Sequence, residues 1–418
     1  MSFTFVHAAD LHLDCPFDGL GYISPELSSV LQNATFASLD NIVKLCLARS
    51  VDFLVIAGDV YNCSDKSLRA QLRFRSALEK LSEAGISSYI VCGNHDPSNG
   101  WSASLDWPAS VHFFSSSELE VRPVIRNGSL IATVHGISHS KSGITENLAL
   151  RLSHDKDSPF AVALLHCNCG QAASYDPYAP CTLADLADSG FDYWALGHIH
   201  KRAILRDSAP LVVYPGSSQG LNPKETGPKG CYIVSVDDAG SASLEFTETD
   251  AIRWFDEEIS ATGVTQEQEL IDSLGERLED IRRRSGRPAL VRFHLIGRTP
   301  LHRTLARKAI LEDITDDLRQ SESLHGDFVW VESIIDETRP DINIDERRLS
   351  EDFVGDFLRL AQEARQNPDR LAGLRSALQP LFEHGRAHAY LSRPSDDRLL
   401  EWLDAAALYG LDALTEET

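Results

Sequence analysis

The sequence predicts a mixed α/β fold, and three patterns carry that expectation: an opening alternation of apolar strand and amphipathic helix, a following run of shorter strands, and a polar, helix-rich end. The first 95 residues read as βαβαβ, with strand 3–9, a helix from about Pro25 to Ser50, strand 53–57, a helix from about Ser67 to Ala84, and strand 88–92. In the second helix Leu68, Leu72, Leu78 and Leu81 recur at helical spacing. That leaves Lys66, Arg69 and Arg73 on another face, where they could follow a phosphate backbone or simply meet solvent.

From Val111 the strands shorten, covering 111–114, 130–135, 160–166, 192–196, 211–214, 231–236 and 243–246. A new unit begins near Ala251. Strand 254–259 precedes a helix opened by a Thr265-x-x-Gln268 capping box, with Leu270, Leu274, Leu278 and Ile281 on one face, and strand 290–296 follows. Thr299-Pro300 then makes an N-cap and N1 pair for a helix with Leu301, Leu305, Ile314 and Leu318 on its buried stripe, before strand 328–335. Arg282, Arg283, Arg284 and Arg287 close the first of these helices; they could contact DNA backbone or serve the helix dipole. After Pro340 the chain is polar and helix-like, with Phe353, Phe357 and Leu360, then Leu371, Leu374, Leu378, Leu381 and Phe382, as amphipathic anchors. The expected division is 1–250, 251–340 and 341–418.

At 418 residues and 43% hydrophobic content the chain can bury a sizeable core across two or three domains. It has no run approaching roughly 18 apolar residues and no basic segment before the first strand, so a cytoplasmic protein is expected. Cys15, Cys46, Cys63, Cys92, Cys167, Cys169, Cys181 and Cys231 form no CxxC pair and mostly lie in or beside apolar runs, which suits reduced, buried thiols. Cys167-Asn168-Cys169 could ligate a soft metal, but its oxygen-rich company favours structural thiols. The net charge of −23 lowers nonspecific affinity for nucleic acid.

Five short stretches stand at strand ends and carry oxygen and nitrogen donors: Asp10-Leu11-His12, Gly58-Asp59, Gly93-Asn94-His95-Asp96, His166, and Gly197-His198-Ile199-His200. Carboxylate, imidazole and amide oxygen suit Mn²⁺, Fe²⁺ or Zn²⁺, and strand-end loops are where such donors converge. Singly each stretch is weak, because Gly-Asp is common and a strand-end His is usually a hydrogen-bonded loop residue. Five in order, in a chain with 15 His, point to two adjacent divalent metals and to phosphoester hydrolysis.

The pattern extends to Lys66-Ser-Leu-Arg-Ala-Gln-Leu-Arg-Phe-Arg75, Tyr178-Ala-Pro-Cys-Thr182, Tyr193-Trp-Ala-Leu-Gly-His198, and Tyr214-Pro-Gly-Ser-Ser-Gln-Gly220 followed by Glu225-Thr-Gly-Pro-Lys-Gly230. With these segments the chain resembles the calcineurin-like metallophosphoesterases, and within them the SbcD-type DNA repair exonucleases of the YhaO-like branch, strongly to about residue 245 and weakly beyond. The resemblance implies a four-layer αββα sandwich with the metals at one edge, a smaller α/β DNA-capping domain, and a helical C-terminal region. It implies a metal-dependent DNA phosphodiesterase, exonuclease or endonuclease, in which a hydroxide shared by two metals attacks phosphorus.

By the same matching, Asp10, His12, Asp59 and His200 hold one metal and Asp59, Asn94, His166 and His198 the other. Asp59 bridges, and Mn is the first choice of metal with Fe or Zn as alternatives. His95 takes the place of a catalytic His that stabilises the transition state or protonates the leaving 3′ oxygen, and Asp96 is a candidate orienting partner for it. His7, His135 and His139 read as structural. The implied partners are DNA and an SbcC-like ABC-type ATPase with long coiled coils, docked through the helices after Pro340; a homodimer is a further option. The chain departs from several relatives at Asn62, where they carry a His, and Asn cannot hold positive charge. Competing readings are a phosphatase or small-molecule phosphodiesterase on the same scaffold, and a noncatalytic subunit that binds DNA ends or an ATPase.

Overall fold

A computed structural model describes the chain apart from residues 19, 21–23, 63–65, 155–158, 171–177, 323, 325, 384–392 and 417–418; Cys63 therefore lies outside the described residues. The fold divides into two compact units, Met1–Glu257 with Glu276–Phe293 and Asp317–Ser333, and Glu258–Gly275 with His294–Asp316 and Ile334–Thr418. No described helix is long and apolar enough to cross a membrane.

The first unit is built on two six-stranded sheets. One has the order β12 (Ala242–Glu248), β11 (Gly230–Val236), β1 (Phe3–Ala8), β2 (Phe53–Ala57), β3 (Ser87–Val91), β4 (Val111–Phe113). The other runs β5 (Glu120–Arg126), β6 (Ser129–Gly136), β7 (Ala161–His166), β8 (Tyr193–Gly197), β10 (Leu211–Tyr214), β9 (Ala203–Arg206). Strands β1 to β4 are parallel, as are β6, β7, β8 and β10, so each sheet sends several strand C-termini the same way.

Strand β2 shows why these central strands read as unbroken apolar runs. Leu54 and Ile56 enter the core under the helices α1 (Pro25–Arg49) and α2 (Leu68–Glu83), whereas Phe53, Val55 and Ala57 enter the core between the sheets. Helix α1 starts where Ser24 caps Leu27 N–H ahead of Pro25, and stops at Ser50 in the left-handed conformation; Ser67 caps α2 in the same way through Ala70 N–H. The outer face of the second sheet buries Leu165, Trp194, Leu196 and Tyr214, beside a 3₁₀ turn at Leu148–Arg151 and the short α3 (Leu183–Ala187). The fourth layer is thus thinner than the helical layer on the other side. Strands β5 and β9, which the sequence pattern missed, are both edge strands, and β5 tolerates Pro123 for that reason.

A third sheet, β13 (Arg253–Ser260), β14 (Ala289–Thr299), β15 (Val329–Pro340), carries α4 (Glu267–Ser285), α5 (His302–Leu305) and α6 (Lys308–Gln320). Within the first unit Ile252, Trp254, Leu290, Phe328 and Trp330 close a core with Leu27, Leu31 and Ala34 of α1. The single helix expected after Thr299 is two helices, and the phase of its stripe explains the break. Leu305 and Ile314 stand about two and a half helical turns apart, on opposite faces of any continuous helix; interrupting the helix lets Leu301, Leu305, Ile314 and Leu318 all be buried. Thr299 remains in the strand and donates its hydroxyl to the Val264 carbonyl at 2.8 Å. At α4 the capping partner also shifts, since Thr265 N–H donates to Glu269 and not to Gln268.

The arginines at the end of α4 are largely spent on internal ion pairs: Arg282 with Glu322 at 2.8 Å, Arg284 with Glu257 at 2.9 Å, and Arg287 with Asp250 at 2.7 Å. Lys66, expected on a free face, is buried near the Tyr61 ring, while Arg69 pairs with Asp14 and Arg73 with Asp40. In the second unit α7 (Ile344–Arg348), α8 (Phe353–Gln366), α9 (Pro368–Glu383) and α10 (Asp396–Glu416) form the C-terminal helices, and Arg298 bonds both Asp412 and the Pro340 carbonyl. Val354, Leu358 and Leu411 make a small core joined by Phe357, whereas Phe353 and Leu360 are 71% and 52% exposed.

Candidate metal centre

The donor-bearing stretches stand at the ends of β1, β2 and β3 of one sheet and β7 and β8 of the other, so four loops and the last residue of β7 meet where the sheets end. The loops after β1 and β2 run side by side: Asp10 N–H donates to Gly58 O, His12 N–H to Asp59 O, and Leu13 N–H to Val60 O. Asp10, His12, Asp59 and His198 all have φ between 43° and 102°, the left-handed region that costs a residue with a side chain about 1–3 kcal/mol. Two glycines allow the loops to approach. A Cβ on Gly93 would stand 2.1 Å from Asp59 Oδ1, and one on Gly197 would stand 1.9 Å from the Ala57 carbonyl oxygen. Gly58 leaves room in the same way for the His166 ring, which a Cβ there would meet at 2.5 Å.

All seven residues expected as ligands come together. His12 Nε2 and His200 Nε2 face each other at 3.1 Å, with the Asp10 carboxylate close to both. Asn94 Oδ1 lies 2.9 Å from His166 Nε2 and 3.1 Å from His198 Nδ1, and His166 Nε2 lies 3.3 Å from Asp59 Oδ2. Donor atoms held near tetrahedral geometry about one ion at ~2.1 Å are separated by roughly 3.4 Å, so this donor set fits divalent cations in chemistry and in spacing. The Asp10 carboxylate also accepts His198 N–H at 3.1 Å, which ties the last ligand loop to the first.

Outer hydrogen bonds fix which imidazole nitrogen faces the cluster. His166 Nδ1 is 2.9 Å from the Ala57 carbonyl and His200 Nδ1 is 2.6 Å from Glu225 Oε1, so each donates outward and turns its Nε2 lone pair inward. His139 donates to the His166 carbonyl at 2.7 Å, which makes this structural histidine a brace for a ligand backbone. The electrostatics reflect crowded charge. Burial pushes Asp10 up to about 6 against the pull of His166 and His200. Burial opposes ionisation of Asp59 too, but the charge and hydrogen bond of His166, with His12 and His95, hold that carboxyl well below the usual range. His166 rises to about 9 in spite of burial, because Asp59 and Asp10 favour its proton. A cation here competes with that proton.

His95 stands at the edge of the cluster, its exposed ring in edge contact with His12. Its Nδ1 is 3.0 Å from the Asn62 carbonyl, a contact that any residue at position 62 can make through its backbone. Asp96 differs from expectation. Its carboxylate accepts the backbone N–H groups of Gly93 at 2.7 Å, Val60 at 2.8 Å and Tyr61 at 3.3 Å, so it braces two ligand loops, whereas the His95 ring is set by Asn62. Burial, with the nearby Asp59 charge, pushes Asp96 up to about 7. Sequence reasoning gave no role to Glu225 or to Tyr178, whose ring meets His198 edge-on; both lie in segments noted for their resemblance, but no spacing rule tied them to the ligands. Cys167 and Cys181 are free buried thiols with Sγ atoms 3.7 Å apart, and neither is among the clustered donors.

Similarity to known proteins covers both the donor-bearing region and the segment after it. Residues 3–202 match the calcineurin-like phosphoesterase family, and residues 254–339 match the middle domain of the metallophosphoesterase YhaO. The chain is 38% identical over 344 residues to "Uncharacterized metallophosphoesterase YhaO" of Bacillus subtilis (strain 168), spanning 82% of this chain and 83% of that protein. It is 25% identical over 223 residues to "DNA double-strand break repair protein Mre11" of Sulfurisphaera tokodaii, covering 53% of this chain and 55% of that one. To the protein of the same description from Methanocaldococcus jannaschii it is 28% identical over 242 residues, covering 55% and 62%. The match thus spans little more than half of each Mre11 protein.

Proposed function

The chain belongs to the calcineurin-like metallophosphoesterases that carry a YhaO middle domain, and from that membership in a family of phosphoester hydrolases we propose that it cleaves DNA phosphodiester bonds with two divalent cations. The observation that carries the proposal is the convergence of Asp10, His12, Asp59, Asn94, His166, His198 and His200 from five strand ends, with donor contacts of 2.9 to 3.3 Å. Asp10, His12 and His200 would hold one cation and Asn94, His166 and His198 the other, with Asp59 available to both. Two such cations, when bound, supply Lewis acidity at the phosphate and a strong nucleophile at neutral pH.

The chain's own groups do the rest. His95 donates Nδ1–H to the Asn62 carbonyl, which leaves Nε2 as the atom that exchanges a proton; as an imidazolium it delivers that proton to the leaving 3′ oxygen. Asp96 keeps the loops of Asp59 and Asn94 in register. DNA as the substrate is supported by the similarity to the two Mre11 proteins. Residues 251–340 act as the cap over DNA, and residues 341–418 offer Phe353 and Leu360 to an SbcC-like ABC-type ATPase. Manganese is the proposed native metal.

The test is Mn²⁺-dependent cleavage of a defined set of DNA substrates, double-stranded, single-stranded and hairpin, beside a generic small phosphodiester. Cleavage of DNA at a kcat/KM well above that for the small ester supports the proposal. Turnover of the small ester alone favours the small-molecule reading instead.

A further inference from the structure

We propose that Glu225 is a positioning residue for the cation site at Asp10, His12 and His200, and that it makes this site unlike its neighbour. The inference rests on the dinuclear reading above. Glu225 is fixed at both oxygens: Oε1 receives His200 Nδ1–H at 2.6 Å, and Oε2 receives Leu221 N–H at 2.8 Å. The turn that carries it is closed by Glu225 N–H donating to Asn222 O, and it packs so tightly that a Cβ on Gly220 would meet the Glu225 carbonyl at 2.7 Å. Leu221 O in turn accepts Asp18 N–H at 3.0 Å, in the segment that follows the His12 loop. With a side chain only 12% exposed, Glu225 is a built part of the centre and not a solvated acid.

Of the four imidazoles in the cluster, His166 and His200 differ in what holds them from behind. His166 leans on a neutral carbonyl, that of Ala57, while His200 leans on a carboxylate. A carboxylate partner raises the basicity of a ligand imidazole and locks its orientation, and loss of such a partner costs metal affinity about 10- to 100-fold. Glu225 thereby strengthens one site and not the other. It also couples cation binding at His200 to the order of the Leu221–Glu225 turn.

The experiment is calorimetric titration of Mn²⁺ into the metal-stripped full chain, wild type, Glu225→Ala and Glu225→Gln, with hydrogen exchange followed over the Leu221 turn. Wild type binds two ions and gains protection at Leu221. Glu225→Ala keeps one ion at wild-type affinity, weakens the other about 10- to 100-fold, and loses the Mn²⁺-dependent protection. Glu225→Gln, which keeps an acceptor for Nδ1–H but drops the charge, weakens the same ion by a smaller factor and carries the test if the alanine variant does not fold. Two ions bound at wild-type affinity by the variants, or both ions weakened equally, overturns the proposal. Fewer than two ions in the wild type overturns the dinuclear reading itself, whatever the variants do.

Discussion

The backbone N–H of His95 donates to Asp59 Oδ1 at 2.9 Å, while the other carboxylate oxygen of Asp59 lies 3.3 Å from His166 Nε2. One carboxylate thus touches the donor cluster and also fixes the residue that stands just outside it. The His95 ring is set separately, by Asn62. In the proposed mechanism ligation and proton transfer fall to different groups, so substitution should separate them.

Asp59→Ala removes the group that the proposal shares between both cation sites. We expect bound Mn²⁺ to fall from two ions to fewer than one per chain and activity to fall to background. Metal analysis of the reconstituted protein checks this, and retention of one tightly bound ion would contradict the bridging role.

His95→Asn is expected to leave metal content intact and to lower kcat by roughly 10² to 10⁴, the range for loss of general acid catalysis. Metal analysis beside steady-state kinetics separates the two effects. A parallel loss of metal and rate would make His95 a ligand or a structural residue.

Gly93→Ala drives a methyl group against Asp59 Oδ1 and the Asp59 backbone N, at 2.1 and 2.8 Å. Overpacking of this kind costs about 1–3 kcal/mol, and it falls on the residue proposed to bridge the cations. Urea denaturation should show that loss, and Mn²⁺ titration a weakening at both sites. Wild-type behaviour in both would mean the two loops yield more easily than their packing indicates.

Burial holds His7 at about 3, and His135 and His139 at about 4, below the ordinary 6.5. A depressed histidine stays neutral in the fold and binds a proton on unfolding. Its contribution to stability is complete above about pH 6.5 and is lost as the pH falls through its folded value. Asp10 and Asp96, raised to about 6 and 7, act in the opposite sense, so the readout is a difference between proteins. Between pH 7 and 4.5 the Tm of His7→Asn should fall less steeply than that of the wild type; equal slopes would refute the assignment.

Phe353 and Leu360 are exposed on α8 while Phe357 packs inward against Leu411 and its neighbours. If the ATPase docks here, Phe353→Ala with Leu360→Ala weakens its capture in a pull-down, and the folded state, judged by Tm, is unchanged. Undiminished capture moves the docking surface elsewhere.

Much of this was legible in the chain itself. Apolar runs at 53–57 and 88–92 followed by Gly-Asp and Gly-Asn-His gave the strands and their donors, because central strands buried on both faces leave a continuous apolar signature. The edge strands β5 and β9 were not legible, since an edge strand mixes polar and apolar residues and β5 contains Pro123. The break between α5 and α6 was available as a phase conflict between Leu305 and Ile314. Glu225 was not: an outer hydrogen bond links residues far apart in sequence, and no local spacing records it. Nor was the division of labour between Asn62 and Asp96, because Asn62 acts through its own backbone carbonyl and Asp96 on the backbone N–H groups of its neighbours, and neither leaves a side-chain pattern in the sequence.

Strand β1 lies between β2 and β11, with Phe3 opposite Val236 in antiparallel register. A nascent chain can pair β1 with β2 early, but the other edge of β1 stays open until residues 230–236 have left the ribosome. Pairings this distant are slow to form and leave apolar edges available to other chains meanwhile. Asp10 and His12 hang from that strand, so the centre is assembled late. A fragment that ends before residue 230 leaves one edge of Phe3–Ala8 without its partner strand, the kind of open apolar edge on which chains associate.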